Sequence, residues 1–512
     1  MHKPSSNPLS PGPEPEAAAA VRPGGLARLQ ASGLSWPLIV ALLTCAAFTA
    51  QAARARMLGD PDTQWHLAAG RWTIDHLTVP TRDPFSYTMR DAPWLAHEWL
   101  SEVLMAALHA HLGWAGLPAL AVACYALTLA VLARFCLRRL EAVYAILLVA
   151  LAAALMAGHG LVRPHILTWP LLAIWMCHLV DRVERGTTPS LWLAAVMLLW
   201  ANLHGSFTLG LALVVPLALE AIVRAPRHER VRLGRGWSVF LLLAALASLV
   251  TPHGVDSWLF TLHVMKLRLA LSVITEWLPP NFQQFQPVAM LLLLVLFAAL
   301  SGRLRTHWLR ALLVLGLVFM CLKHARYGSI AGMVMPVLVA RALADGFKRQ
   351  PIEGQGAEWL DRLFLALARP STAWARGGVA LGCLALLTVQ VIALPVEPGP
   401  RVYPHAALAA ARAQQLTGPV LNDYNFGGFL IGEGVPVFID GRADMYGDEF
   451  IASYLAATQL AKPGVLEQVL AKHQIEWTML RVGTPAIAVL DLLPGWQRVH
   501  ADPVAVVHKR RR

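Results

Sequence analysis

The stretch Gly59-Asp60-Pro61-Asp62-Thr63-Gln64-Trp65-His66 sets two carboxylates two residues apart and an imidazole four residues beyond the second. With Pro61 in a first helical turn, where its missing N–H costs nothing, Asp60 stands at a helix N-terminus and stays ionised there. An ionised carboxylate, Asp60 or Asp62, beside a bound hydroxyl can take its proton, which is general-base chemistry. Asp62 and His66 share a helix face, and with Asp60 they could hold a divalent cation; no other cofactor is expected. Trp65, Leu67, Trp72 and Ile74 of the same helix are expected on a membrane surface. After a turn-rich segment fixed by Pro80 and Pro84, His97 and Glu98 open a further short apolar helix. Groups of the opposite sign recur further on: Arg163, His165, His204, His253, Lys323 and Arg326, with Glu276 and Tyr327 beside them. Such cations and hydrogen-bond donors can hold an anionic group, and Arg163 and Arg326 carry the best fork for its oxygens.

The elements that must position these groups are read from composition. Of the 512 residues 56% are hydrophobic and only 14% charged, against about 25% charged in soluble chains. A soluble enzyme, a collagen-like fibre and a mainly disordered chain are excluded. Apolar runs at 35–50, 117–135, 142–157, 161–179, 191–203, 207–223, 237–250, 287–300, 308–322, 327–344 and 377–394 predict about eleven crossings of a hydrocarbon core. Residues 1–33 read as a disordered cytoplasmic N-terminus, 34–395 as the transmembrane domain with a first outer loop at 57–99, and 396–512 as a soluble α/β domain outside. Arg138/Arg139, Arg182/Arg185, Arg224 to Arg235, Arg303/Arg305 and Lys348/Arg349 then fall on the N-terminal side, as the positive-inside rule asks. The excess of 43 Lys and Arg over 31 Asp and Glu belongs to those loops and to anionic lipid, not to nucleic acid. With this sidedness nearly every polar cluster faces outward, and the outer loops are expected to converge on one site. The 6 Cys all lie in apolar runs, so neither a disulfide framework nor a zinc site is implied.

After residue 394 the span pattern stops. Strand-like 418–421, 428–431 and 435–439 precede helical 449–460 and 464–473, then strand-like 476–481, a helix near 485–493 and a last strand at 504–508. Two loop-like segments, from Asn422 through Tyr424 to Gly428 and from Asp440 through Arg442 to Tyr446, are expected to meet at one sheet edge. Asn422, Tyr424, Asp440 and Arg442 are therefore candidate substrate contacts, with His66, His97, Glu98, Glu276 and Tyr327.

An acidic signature just after the first span, followed by surface helices and many further spans, resembles the GT-C superfamily of membrane glycosyltransferases. GDPDTQWHLAAGRW, PTRDPFSYT, HEWLSE, VRPHILTW, WANLHGSF, TPHG, ITEW, KHARYG, NDYNFGGFLIG and FIDGRADMYG look like uncharacterised bacterial members of that group over most of the chain. The resemblance implies a mainly α membrane protein, a GT-C-like multi-span helical bundle with a small soluble C-terminal α/β domain. It also implies an inverting transfer of sugar from a polyprenyl-phosphate carrier to a glycan, lipid or protein acceptor at the outer face of a bacterial cytoplasmic membrane, with a first-loop acid, here Asp60 or Asp62, as base. Two other classes fit the same residues: a transporter or flippase of lipid-linked glycan, and a catalytically silent envelope scaffold. A transporter would place its charges near mid-bilayer on broken helices, whereas these lie at one end of the spans.

Overall fold

The computed structural model describes Arg28 and residues 31–264, 266, 267, 269, 272, 275–347 and 355–511. Nearly all of the leading segment 1–33 and the Lys348/Arg349 loop lie outside the described residues. Each of the eleven apolar runs contains a helix. Among the described residues, five helices are long and apolar enough to cross a membrane: Trp99–Leu137, Phe207–Arg224, Arg227–Ser248 (with a first 3-10 turn), Tyr327–Gly346 and Ala373–Ile392. Trp36–Ala47 and Gln51–Met57, bent by 89° at their junction, make a sixth if taken together, and three shorter apolar helices stand among them. The protein is a multi-pass membrane protein, mainly helical, with a small mixed sheet at its C-terminus.

The bundle core shows why the sequence packs this way. Trp175, Trp200, Trp237 and Phe240 are fully buried where neighbouring helices cross. Trp175 donates its indole N–H to the carbonyl of Gly210 at 2.9 Å, and a side chain at Gly210 would collide with the Trp200 ring. Only glycine lets the Leu193–Leu203 and Phe207–Arg224 helices approach so closely. Trp99–Leu137 is longer than the short helix expected at Glu98. It runs 39 residues through a break at Gly113, whose positive φ of 61° divides it into two parts.

The C-terminal sheet has the order β1-β2-β4-β3, with β1 (Val420–Asn422) parallel to β2 (Trp477–Arg481), and β4 (Ala505–Arg510) antiparallel to both β2 and β3 (Trp496–Ala501). The helices Ala443–Thr458, Val465–Lys472 and Ala486–Leu492 fall close to their expected places. Two expected strands do not form. Residues 428–431 belong to the helix Gly427–Gly432, because the Asp423 carboxylate caps a helical turn by accepting from the Asn425 N–H at 3.0 Å and the chain continues as helix. Residues 435–439 make only a single bridge, Val437 with Ser86 of the first outer loop, and the chain bends at Phe438. The loop supplies the pairing that the sheet does not: Tyr87 N–H donates to the Val437 carbonyl at 3.1 Å and Thr88 Oγ1 to that of Phe438 at 2.6 Å. The missed strand is β3, a polar edge strand with little apolar alternation.

Candidate active site

Asp60, Asp62, Arg163, Glu276 and Arg326, from four separate segments, meet at one end of the bundle. The Thr63–His76 helix begins two residues later than expected, with Asp62 at its N-cap and Pro61 before it. Asp60 Oδ1 accepts the Asp62 N–H at 2.8 Å, a side-chain turn that leaves the Asp62 carboxylate free of any capping bond. The loop after the Ala142–Ala157 helix is fastened to this turn: Val162 N–H donates to the Met57 carbonyl at 2.9 Å, and Thr63 Oγ1 to that of Val162 at 3.1 Å. That fastening aims Arg163 at the acids. Its guanidinium pairs with Asp60, donates to Asp62 Oδ2 at 2.6 Å and reaches Glu276 Oε1 at 3.0 Å. Arg326 closes the row, 3.6 Å from Glu276 Oε1 and 4.4 Å above the Trp277 ring. The backbone holds it there, since Arg326 N–H donates to the Glu276 carbonyl at 3.1 Å.

The two aspartates differ in environment. The Asp60 side chain is sealed, whereas 17% of that of Asp62 remains exposed. Burial pushes the Asp62 carboxyl up to about 7; Arg163 opposes the shift, and the negative charges of Asp60 and Glu276 add to it. A carboxylate poised near neutrality is matched to proton abstraction.

A second group adjoins the first. His204 Nε2 lies 3.1 Å from Glu98 Oε1, His97 Nε2 3.6 Å from the same oxygen, and His66 Nδ1 3.8 Å from Glu98 Oε2 and 3.1 Å from Glu102 Oε1. The His165 and His204 rings are 6.3 Å apart, and His253 Nε2 sits 3.2 Å from the Ala96 carbonyl. Burial alone would lower His97, yet Glu98 and Asp444 bring it above its usual value. Burial alone would raise Glu98, yet His97 and His204 hold it far below the carboxylate range. Burial depresses His66 to about 3, leaving a neutral imidazole. His66 therefore turns away from Asp60 and Asp62, which share Arg163, and joins Glu98 and Glu102 instead. The ligand atoms of His66, Glu98 and Glu102 all lie within 4.8 Å of one another, and Glu102 Oε2 is buried with no hydrogen-bond partner. An imidazole with two carboxylates, one oxygen of them unclaimed, could bind a divalent metal. Glu102 and Asp444 were not anticipated; the Glu98-to-Glu102 spacing of four at a helix start was the available signal for the former.

The remaining candidates lie elsewhere. Asp440 and Arg442 are fully buried: Arg442 donates to Asp440 at 2.8 and 2.6 Å and to Asp83 at 2.7 Å, and Tyr446 donates to Asp440 at 2.8 Å. The guanidinium also stacks 4.7 Å from the Trp94 ring. Asn422 is buried too; its side chain accepts the Phe438 N–H and donates to the Ile439 carbonyl, both at 2.8 Å, filling the gap beside β1. In place of the expected open sheet edge these three tie the 435–439 segment to the first outer loop, through an Asp83 that sequence reading passed over. Tyr424 stands nearer the first group: burial, then the charge of Asp62, pushes its phenol up. Tyr327 starts the helix beyond Arg326 and sits 6.0 Å, ring to ring, from His324. Lys323 is exposed and forms no ion pair among the described residues. Trp65 and Leu67 are buried rather than spread on a membrane surface, while Ile74 is 40% exposed.

No family model matches the chain, and no curated protein matches it in sequence. Its architecture does match solved structures. The archaeal oligosaccharyltransferase AglB from Archaeoglobus fulgidus, in complex with an inhibitory peptide and a dolichol-phosphate, superposes with a TM-score of 0.52 at 10% identity, over 87% of this chain and 69% of that one. The apo form gives a TM-score of 0.50 at 11% identity over the same shares. ArnT from Cupriavidus metallidurans, bound to undecaprenyl phosphate, gives 0.48 at 14% identity over 92% of this chain and 97% of that one. At 10–11% identity the likeness to AglB is one of fold alone.

Proposed function

We propose that the protein is an inverting glycosyltransferase that moves a sugar from a polyprenyl-phosphate donor to an acceptor hydroxyl at the outer face of a bacterial cytoplasmic membrane, its C-terminal domain on that side. The observation that carries this reading is the convergence of a partly exposed Asp62, near neutrality, with Arg163 and Arg326 at one end of the bundle. The acceptor oxygen attacks the anomeric carbon from the face opposite the phosphate and passes its proton to Asp62. The bond from that carbon to the phosphate oxygen breaks, and its electron pair leaves with the phosphate. Arg326, and Arg163 once drawn from Glu276 by the donor's charge, meet the growing negative charge. His165, His204, His253 and Lys323 are further donor contacts in this reading, and Tyr424 and Tyr327 border the acceptor. A mainly apolar cleft of about 170 Å³, lined in part by Phe48, Arg56, Met57, Tyr125 and Ile166, gives a carrier chain a place on the segment that leads into Asp60. A divalent cation held by His66, Glu98 and Glu102 would add fixed positive charge and brace the loop.

The fold likeness supports the reading, since AglB was solved with a dolichol-phosphate. The test is turnover by purified protein given radiolabelled polyprenyl-phosphate sugars and mixed acceptors. Transfer that falls at least a hundredfold in Asp62→Asn, and that yields the opposite anomer, is expected. Lipid-linked glycan crossing vesicles with no transfer, undiminished in Asp60→Asn and Asp62→Asn, would establish a transporter instead.

A further inference from the structure

Four arginines gather at the end of the bundle remote from Asp60. Arg134 and Arg138 stand one turn apart near the end of the Trp99–Leu137 helix, about 50 Å of helix path from Glu98. Arg369 and Arg376 bracket the turn leading into the Ala373–Ile392 helix. All four line one cleft of about 330 Å³, together with Ser35 and Ser371. Each is exposed, and none forms an ion pair among the described residues. Two buried or half-buried arginines at this end behave differently: Arg139 meets Asp181 and Glu184 at 3.0 and 2.7 Å, and Arg310 meets Glu184 and Glu220 at 3.4 and 3.0 Å. Among the described residues, Asp181, Glu184 and Glu220 are thus taken up by other arginines and no carboxylate pairs with the quartet.

The cleft is built to a definite shape. The Gly33 carbonyl accepts the Thr372 N–H at 3.3 Å, and the Trp36 indole donates to the Phe364 carbonyl at 3.2 Å. A side chain at Gly33, where φ is 69°, would strike Thr372. These contacts draw together the starts of two helices, Trp36–Ala47 with Ser35 at its N-cap and Ala373–Ile392 with Thr372 at its own. The Ser35 side chain makes no capping bond to its helix. Both N-terminal dipoles therefore add to the positive field of the arginines. The rest of the wall is apolar, with Leu38, Leu127 and Val131 running along the helices toward the hydrocarbon, and Leu127 is 52% exposed.

A basic mouth continuous with an apolar trough has the polarity of a lipid standing in its leaflet; a free anion would use the mouth alone. We propose that this cleft is a binding site for an anionic phospholipid, its phosphate held by Arg134, Arg138, Arg369 and Arg376 and its acyl chain laid along Leu38, Leu127 and Val131. The site is separate from the sugar-transfer site and does not depend on it. Occupied, it would join the first and last spans to the Trp99–Leu137 helix across three distant parts of the sequence.

The experiment uses the full-length protein, purified in non-ionic detergent and delipidated, and native mass spectrometry with phosphatidylglycerol, phosphatidylcholine or inorganic phosphate. Wild type is expected to retain one phosphatidylglycerol at least tenfold more than phosphatidylcholine, with inorganic phosphate failing to compete. The paired variants Arg134→Gln/Arg138→Gln and Arg369→Gln/Arg376→Gln, each on one chain segment, should both lose that preference. A charge-matched Arg227→Gln/Arg235→Gln control should keep it, and Arg→Lys at the four positions should restore part of it. Equal retention by the paired variants and wild type, equal loss in the control, or full competition by inorganic phosphate would each overturn the proposal.

Discussion

At the scale of single residues the proposed chemistry turns on which aspartate is free to act, and the environments of Asp60 and Asp62 separate them. Asp60 is enclosed and committed to the Asp62 N–H and to Arg163, so its removal disturbs the geometry that presents Asp62. In the proposed transfer the carboxylate form of Asp62 is the working form, and its pKa is raised to about 7. Transfer should therefore rise with pH through that value and fall away below it, as kcat/KM measured from pH 5 to 9 would show. Glu276 is one of the negative charges that keep Asp62 up. Glu276→Gln should move the acid limb of that profile to lower pH; an unmoved limb would mean that another group titrates. The metal question also belongs to this scale. Protein stripped with chelator should take up about one zinc or manganese ion per chain, with a raised melting temperature, and Glu102→Gln should weaken uptake at least tenfold. Asp440 and Arg442 have a different part. Arg442→Met leaves the Asp83 and Asp440 carboxylates buried without their partner, a loss of about 3–5 kcal/mol, read as a lower melting temperature in detergent. Arg442→Lys should recover only part of it, because a lysine cannot repeat the fork across both acids.

At the scale of elements, close backbone approaches decide which segments share the site. The Gly427–Gly432 helix lies on the start of Thr63–His76, where a side chain at Gly428 would run into the Pro61 carbonyl and one at Gly441 into the Asp62 carboxylate. Backbone cannot step aside as a side chain can. Gly428→Ala should therefore lower stability by about 1–3 kcal/mol and reduce transfer with it. Gly441→Ala should leave the melting temperature nearly unchanged while cutting kcat, because it swings the Asp62 carboxylate. These elements also mark how far the sequence could be read. The apolar runs and the acid pair were visible because membrane helices and helix starts have strong local signals. The helix at Gly427–Gly432 looked like a strand because a short apolar run of that length has no period to distinguish the two, and the deciding Asp423 cap was taken for a loop residue. Val437 read as a strand within the sheet although its partner, Ser86, lies some 350 residues earlier, a pairing that no local pattern encodes. Glu102 was hidden inside what looked like an ordinary amphipathic helix start.

At the scale of the whole molecule, the boundary near residue 395 separates compositions and not cores. Trp65, Ala68, Ala69, Trp94 and Ala96 of the first outer loop share one buried cluster with Phe426, Phe429, Leu430 and Val437 of the C-terminal region. The Asp83–Arg442–Asp440 network crosses the same boundary, and so does the Tyr87 hydroxyl, which donates to the Val420 carbonyl at 3.0 Å. Outer loop and C-terminal domain thus fold as one body, seated on the bundle through the Thr63–His76 and Trp99–Leu137 helices. A fragment of residues 396–512 made alone would expose the faces of Phe426, Phe429 and Leu430 and leave Arg442 with only one of its two acids. It is expected to bind hydrophobic dyes and to aggregate, and to become soluble when residues 57–99 are fused ahead of it by a flexible linker. The same coupling links this region to the proposed chemistry, since Gly428 and Gly441 press on the turn that presents Asp62. A full chain cleaved by an engineered protease site at residue 398 should accordingly keep its C-terminal domain bound through affinity purification and retain most of its transfer activity. Release of that domain with activity intact would show that the bundle alone shapes the site, and would remove the C-terminal domain from the account of how Asp62 is held.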